Sequence, residues 1–453
     1  MQEYWRDSIQ EKNEGIFMRK RYKEVLLIFV LLFFFLIPGY AAEYMTVKVV
    51  DFFTGEPIRG AIVTSNNGFV PIDEPNKFIM PTIGNKLRVR AHGYRITEQV
   101  ITAPVIPTPH LVKVVPFTPK ALYLTFYAIG ERSLRESALK LIQETELNAL
   151  VIDIKGDRGM IPYKSSIPLA SEVGAQRIIT VKDIGGLIKS LKGKGIYTIA
   201  RIVVFKDNPL ALIRPDLAVK TQSGEIWRDR ENMAWVDPFK KEVWDYNINI
   251  AMEAAQYGFD EIQFDYVRFP DASAPRFSMP NTEENRLRAV SEFLREAKRR
   301  LMPYNVFIAA DIFGYVCWNL NDTFIGQRLD ALVPHLDYLS PMLYPSGFQY
   351  GIPGYRIPVE NPYEIVYRTL KRAQERTNLT PIRFRPWLQA FRDYAFDRRC
   401  FHGKEIRDQI NAAEKFGSQG WMLWNPRNIY SSEGLRKREP AAVITSLVPN
   451  LKT

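Results

Sequence analysis

The sequence predicts an α/β fold, a (β/α)8 TIM barrel, preceded by a small all-β sandwich domain and an N-terminal signal or anchor segment. Three observations carry this. After Lys120, short runs rich in Val, Ile, Tyr and Phe alternate with helical segments eight times. Residues 44 to 116 instead hold short alternating runs broken by Gly, Pro and Asn, and a basic cluster followed by an unbroken apolar run precedes them.

The apolar run comes first. Residues 19 to 23 read RKRYK and residues 25 to 37 read VLLIFVLLFFFLI, followed by Pro38, Gly39, Ala41 and Ala42. This is the charged, apolar, small-residue order of an export signal, with Met18 as an alternative start. Thirteen helical residues span about 20 Å against a hydrocarbon core of roughly 30 Å, which favours cleavage after Ala41 or Ala42 over a permanent span. The expected location is secreted, periplasmic or cell-surface, with membrane contact only through this segment if it is retained. The formal charge of +11 suits anionic envelope polymers or a solvated basic surface, and export disfavours nucleic acid as a partner. With only Cys317 and Cys400, neither a disulfide framework nor a cysteine-built zinc site is available.

Residues 44–116 contain TVKVVDFFTGEPIRGAIV and KLRVRAHGY, short strands with turn punctuation that indicate a small antiparallel sandwich. DFFTGEPIRGAIV and RVRAHGY resemble the carboxypeptidase regulatory-like sandwich family, which implies an accessory module that could engage an envelope polymer. APVIPTPHLVKVVPFTPK, 103 to 120, supplies its last strand and a stiff junction.

The barrel, placed at 120–435 with a tail over 436–453, follows as ALYLTFY (121–127), ALVIDIK (149–155), IYTIARIVVF (196–205), FDEIQFDYV (259–267), NVFIAADIF (305–313), YLSPMLY (338–344), PIRFRPWLQAF (381–391) and GWMLWN (420–425). Asn361-Pro362 and Asp237-Pro238 mark helix starts, each an N-cap followed by Pro. The insertion 206–237 is too long for an ordinary βα loop and is expected to cover one side of the barrel mouth.

Chemistry in such barrels sits at the C-terminal strand ends, and alternate side chains face inward. That parity turns Val151, Asp153 and Lys155 inward, then Glu261, Gln263, Asp265 and Val267, then Asp311 and Phe313, leaving Tyr266 on the outer face. Asp153, Asp265 and Asp311 converge on one rim as candidate catalytic carboxylates. Lys155, Asp157, Tyr127, Arg268, Tyr344, Trp387, Gln389 and Trp424 are candidate substrate-binding residues, since aromatic faces stack on sugar rings while polar groups bond their hydroxyls. An acid at a strand end also serves as a salt-bridge or capping residue, and Arg268 or Lys155 could neutralise one. Asp260, at the strand's start, and Glu261, deep inside, read as structural. The four histidines form no ligand pair, which leaves no expected metal, weakens a metal-dependent deacetylase, and no cofactor is implied. GxSxG, P-loop and GxGxxG motifs are missing from the sequence.

ETELNALVIDIKGDRGMIPY, IARIVVFKDNPLALIRPDLAVKTQSGEIWRD, AWVDPFKKEVWDYNI and GFDEIQFDYVRFP resemble a bacterial putative glycoside hydrolase family, domain of unknown function 4015, from about Lys120 to Trp424. The resemblance implies a TIM-barrel glycosidase acting on a polysaccharide or cell-envelope glycan. The chitinase-type FDGIDxDxE signature is matched only by Asp260 and Asp265: Gln263 replaces its middle Asp and Val267 its acid. In amylase- and galactosidase-type barrels the fourth strand ends in a nucleophilic Asp, the role that Asp265 would take, with Asp311 first and Asp153 or Asp157 second as the acid. The rival reading is a noncatalytic carbohydrate-binding or envelope-scaffold protein, supported by Val267 and by the lack of Glu at the strand ends.

Overall fold

The structure, a computed structural model, describes residues 44–65, 68–69, 72–74, 77–81, 86–101 and 109–438. The expected signal segment 1–42, part of the Pro-rich junction and the tail beyond 438 lie outside these residues.

Eight short strands precede the barrel: β1 (Tyr44–Asp51), β2 (Ile62–Ser65), β3 (Gly68–Phe69), β4 (Ile72–Glu74), β5 (Lys77–Pro81), β6 (Lys86–Arg90), β7 (Thr97–Val100) and β8 (His110–Val114). They form two four-stranded sheets, ordered β4-β5-β1-β8 and β3-β2-β6-β7. The alternation seen in the sequence buries Val47, Val49, Val112 and Val114 of one sheet against Val63, Leu87 and Val89 of the other. The pairing is antiparallel except between β1 and β8, which run parallel.

Eight parallel strands then close into a barrel: β9 (Lys120–Leu124), β10 (Ala149–Lys155), β11 (Tyr197–Val203), β12 (Glu261–Asp265), β13 (Phe307–Phe313), β14 (Tyr338–Met342), β15 (Trp387–Gln389) and β16 (Trp421–Trp424), with β16 pairing back onto β9. The strands are buried on both faces, which accounts for their nearly continuous apolar runs. Outward residues such as Leu150, Ile152, Ile262, Phe264 and Ile308 join the helix-facing core. Inward Ala121, Val151, Ile199, Phe307, Tyr338 and Met422 fill the lumen. The helices Lys241–Gln256, Glu283–Leu301, Pro362–Thr377 and Gly403–Phe416 are amphipathic and pack on the outside. The last starts with Glu405 reaching back to the His402 amide and ends at Gly417, whose φ of 88° suits glycine.

The sandwich meets the barrel at the N-terminal strand ends. Arg90 Nη1 lies 2.8 Å from Asp337 Oδ1, just before β14, and Asn305, just before β13, donates to the Ile62 carbonyl at 3.1 Å. The described residues of the sandwich therefore lie at the end opposite the mouth.

The structural acids occupy this lower end. Asp260 accepts from the Thr198 amide and hydroxyl at 2.9 and 3.0 Å, and Glu261 is fully buried against Arg385 and the Tyr197 hydroxyl. Asp237 differs from its expected role. Lys240 is the N-cap of Lys241–Gln256, while Asp237 accepts from the Phe239 and Ser278 amides and pins the end of the long insertion. Cys317 is buried, Cys400 is exposed, and both are free thiols.

Candidate active site

Arg201 is the centre of the mouth. It is the one charged residue in the apolar run of β11, and inward parity leaves its guanidinium almost fully buried. A buried cation needs carboxylates. Nη1 donates to Asp153 Oδ1 at 2.7 Å, Nη2 donates to Asp157 Oδ1 at 2.7 Å and Asp265 Oδ2 at 2.5 Å, and Nε donates to Asp265 Oδ2 at 2.9 Å. Asp311 Oδ2 lies 4.0 Å from Nε. Burial opposes the charge on Arg201, but Asp157, Asp265 and Asp153 outweigh it and hold its pKa well above the usual arginine value. The carboxylates come from the ends of β10, β12 and β13 and the turn after β10, and only barrel closure brings them together.

Each acid has a distinct environment. Asp265 accepts Arg201 through one oxygen and the Tyr266 amide through the other at 2.6 Å, so three N–H groups converge on it. Asp311 is 1% exposed; Trp387 Nε1 donates to its Oδ1 at 2.7 Å, and its Oδ2 accepts no hydrogen bond from a nitrogen or hydroxyl among the described residues. Burial, then the charge of Asp265, pushes the Asp311 carboxyl well above the usual range, so it stays protonated and can hydrogen-bond to Asp265. Asp153 accepts from the Tyr123 hydroxyl at 2.7 Å, and burial, against Arg201 and with Asp157 adding to it, pushes it up to about 6. The GDRG turn presses onto this acid: a Cβ at Gly156 would come within 2.9 Å of Asp153 Oδ2. The Asp157 side chain is 40% exposed.

An inner cavity of about 180 Å³ is lined by Asp157, Arg201, Asp265, Tyr266, Arg268, Phe313, Met342, Tyr344, Trp387 and Trp424. It shares Tyr266, Phe313, Met342, Tyr344 and Trp424 with an outer cleft of about 1000 Å³. Trp424 stacks on Tyr123 with ring centres 3.9 Å apart and planes 12° from parallel, and the Arg201 guanidinium lies 4.8 Å from the Trp424 ring centre. Burial, then Asp311 and Asp265, raises the Tyr344 hydroxyl well above its usual value and keeps it a neutral donor. The long insertion reaches the mouth: Glu231 lines the outer cleft, and Trp235 packs edge-on to Tyr266 at 5.6 Å.

Of the expected residues, Asp265, Asp157, Arg268, Tyr344, Trp387 and Trp424 line the inner cavity. Asp153 and Asp311 lie behind it and contact its lining through Arg201 and Trp387. Five expectations require correction. Lys155 does not face the mouth: the register of β10 against β11 shifts between Asp153 and Lys155, turning Lys155 outward onto Asp207 at 2.6 Å and the face of Tyr246. β12 ends at Asp265, and Tyr266, with a φ of 47°, reverses the parity that follows. Tyr266 therefore enters the cavity and Val267 joins the helix-facing core. Tyr127 lies in the exposed turn beyond β9, which ends at Leu124, and Tyr123 is the residue of that strand that reaches the acids. Gln389 is fully buried and exchanges hydrogen bonds with Ser346, fixing the loop after β14. Arg201, Tyr123 and Tyr266 belong to the candidate site, and strand parity did not single them out.

Eight parallel strands closed into a barrel, with carboxylates and aromatic rings gathered at their C-terminal ends, define a TIM-barrel protein with a candidate site at its mouth. The chain belongs to the putative glycosyl hydrolase domain family, domain of unknown function 4015, whose model matches residues 121–430. No curated protein matches it. Among solved structures, a hypothetical protein from Ruminiclostridium thermocellum is 39% identical over 42% of this chain and 96% of its own, with a TM-score of 0.38. The PgaB (BpsB) glycoside hydrolase domain from Bordetella bronchiseptica shares the fold at 13% identity, a TM-score of 0.51, and coverage of 69% of this chain and 95% of its own. The catalytic domain of a β-amylase from Paenibacillus polymyxa aligns at 11% identity over 74% of this chain and all of its own, with a TM-score of 0.44.

Proposed function

We propose that the protein is an exported glycoside hydrolase that cleaves a polysaccharide of the cell envelope, with Asp265 as nucleophile and Asp157 as acid/base. The observation that carries this is the shared nitrogen: Asp157 Oδ1 and Asp265 Oδ2 lie 2.7 and 2.5 Å from Arg201 Nη2, so they are no more than about 5 Å apart, and both line the inner cavity. Retaining glycosidases hold their carboxyl pair about 5–5.5 Å apart, against roughly 6.5–9.5 Å for inverting ones. Asp265 would attack the anomeric carbon as the glycosidic oxygen takes a proton from Asp157, and a water deprotonated by Asp157 would then release the sugar. Asp311 does not donate to the leaving group, because it is sealed behind the cavity; it supports Asp265 from below. Trp424 and Tyr344 supply an apolar face and a neutral hydroxyl for the bound ring. The export reading rests on the order of residues 19 to 42 and places the enzyme outside the cytoplasm.

The noncatalytic reading has one observation in its favour: Arg201 already engages Asp153, Asp157 and Asp265, as a structural ion cluster would. Incubation with a panel of envelope and plant polysaccharides, reading new reducing ends together with binding, separates the two. Release of reducing ends with retained anomeric configuration is expected; binding to glycans without cleavage of any would favour the scaffold.

A further inference from the structure

We infer that the sugar bound beside Asp265 carries an anionic group, a carboxylate or a sulfate or phosphate ester, and that Arg268 holds it. The inference rests on the glycosidase reading for the place of the sugar and adds the class of substrate. It comes from the balance of charge around the two cavities. Of the acids that line them, Asp157 and Asp265 are paired with Arg201, and Glu231 lies 2.7 Å from Lys206 Nζ. Glu433, at the exposed rim, lies 4.0 Å from His402. Besides the ion-paired Arg201, three guanidinium groups line the same space, Arg268 in the inner cavity and Arg392 and Arg427 in the outer cleft, and none of these three forms an ion pair with a carboxylate among the described residues.

Arg268 is the best placed of the three. It is half-buried, with its guanidinium 4.9 Å from the ring centre of Tyr266 and 5.2 Å from that of Trp235. Nη1 donates to the Phe269 carbonyl at 3.0 Å, which fixes the plane of the group; Nε and Nη2 have no partner among the described residues. A planar cation immobilised by two rings, with donors left over beside the candidate nucleophile, matches the two-oxygen geometry of a carboxylate or a sulfate or phosphate ester. The hydroxyls of a neutral sugar could accept from those donors but would leave the surplus charge unmatched. Arg392 and Arg427, both exposed, extend the positive lining along the outer cleft where further acidic sugars of the same chain would lie.

The test uses the purified chain with matched polymers: a uronic-acid polysaccharide against the same polymer after carboxyl reduction, and dextran sulfate against dextran. Binding and release of reducing ends are both measured at low salt. The acidic member of at least one pair is expected to bind at least about tenfold more tightly than its neutral partner, and which pair responds distinguishes carboxylate from ester. Arg268→Gln should erase most of that ratio, Arg268→Lys should keep part of it, and Arg427→Gln, at an exposed position, should weaken it without affecting folding. Equal binding within both pairs, or a ratio unchanged in Arg268→Gln, would overturn the inference. Cleavage of neutral glycans only, dependent on Asp265, would sink it while leaving the glycosidase reading intact. Arg268-dependent binding of acidic glycans without cleavage would do the reverse.

Discussion

Arg201 grips Asp265 Oδ2 with two donors, Nε at 2.9 Å and Nη2 at 2.5 Å, and turns the remaining Nη1 to Asp153. The aspartate that ends the fourth barrel strand is thus held by the cation of the third. One guanidinium faces four aspartates, and the cluster is tolerable because Asp311 keeps its proton and Asp153 titrates late. The outcome is two acids that reach the cavity and two that stay behind it.

Arg201→Met should be the most damaging single change in the barrel. It removes the one buried cation among the described residues that contacts Asp153, Asp157 and Asp265, and breaking a buried pair from one side costs about 3–5 kcal/mol. Urea denaturation measures this. A loss under about 1 kcal/mol would mean that the aspartates do not depend on Arg201.

Stability should fall as pH rises through the range in which Asp153 titrates. Folding raises this carboxyl from its usual 3.8 to about 6, so between these values the folded chain holds a proton that the unfolded chain has released. The stabilisation is full below about pH 4 and lost as pH passes 6, on the order of 2–3 kcal/mol in all. Asp153→Asn should flatten that part of the profile; an unchanged profile would assign the titration to another group. Asp311 is shifted in the same direction and should add to the loss of stability as pH rises.

Lys155 and Asp207 form a fully buried pair at 2.6 Å outside the barrel. Lys155→Met strands the Asp207 charge and is expected to cost about 3–5 kcal/mol. Adding Asp207→Asn should recover most of it, since Asn also caps the helix Asn208–Ile213, whose Leu210 amide Asp207 now binds. A double variant as unstable as the single one would show that the pair is not coupled.

Trp387→Phe keeps an aromatic ring but removes the five-membered ring whose N–H Asp311 Oδ1 accepts at 2.7 Å. An orphaned buried acceptor costs about 1–3 kcal/mol. The melting temperature should fall, and Asp311→Asn in the Trp387→Phe background should cost less than it does alone.

Much of this was legible in the sequence. Period-two alternation places Asp153, Asp265 and Asp311 at the C-terminal strand ends and sends Leu150, Ile152, Ile262 and Phe264 outward, because the barrel strands are regular over those residues. Alternation fails where the strands are irregular. The register shift in β10 sends Lys155 away, and the left-handed backbone of Tyr266 swaps that residue with Val267. Neither leaves a local mark, since both are set by how neighbouring strands and loops pack. Arg201 had a signal, a lone cation in IYTIARIVVF. Its partners lie 44 to 64 residues away, so only closure of the barrel shows what it neutralises. The division between cavity-lining and buried acids was also out of reach, because it depends on the depth at which Trp387 and Tyr123 sit over Asp311 and Asp153.

The most direct measurement compares turnover by the wild type and by Asp265→Asn on any glycan the wild type cleaves. Asn preserves shape and a hydrogen-bond acceptor for Arg201 but cannot form the glycosyl ester. A fall of at least about 10³-fold, with an unchanged circular dichroism spectrum, is the expected result. Cleavage by Asp265→Asn at the wild-type rate would contradict the assignment of the chemistry to this residue.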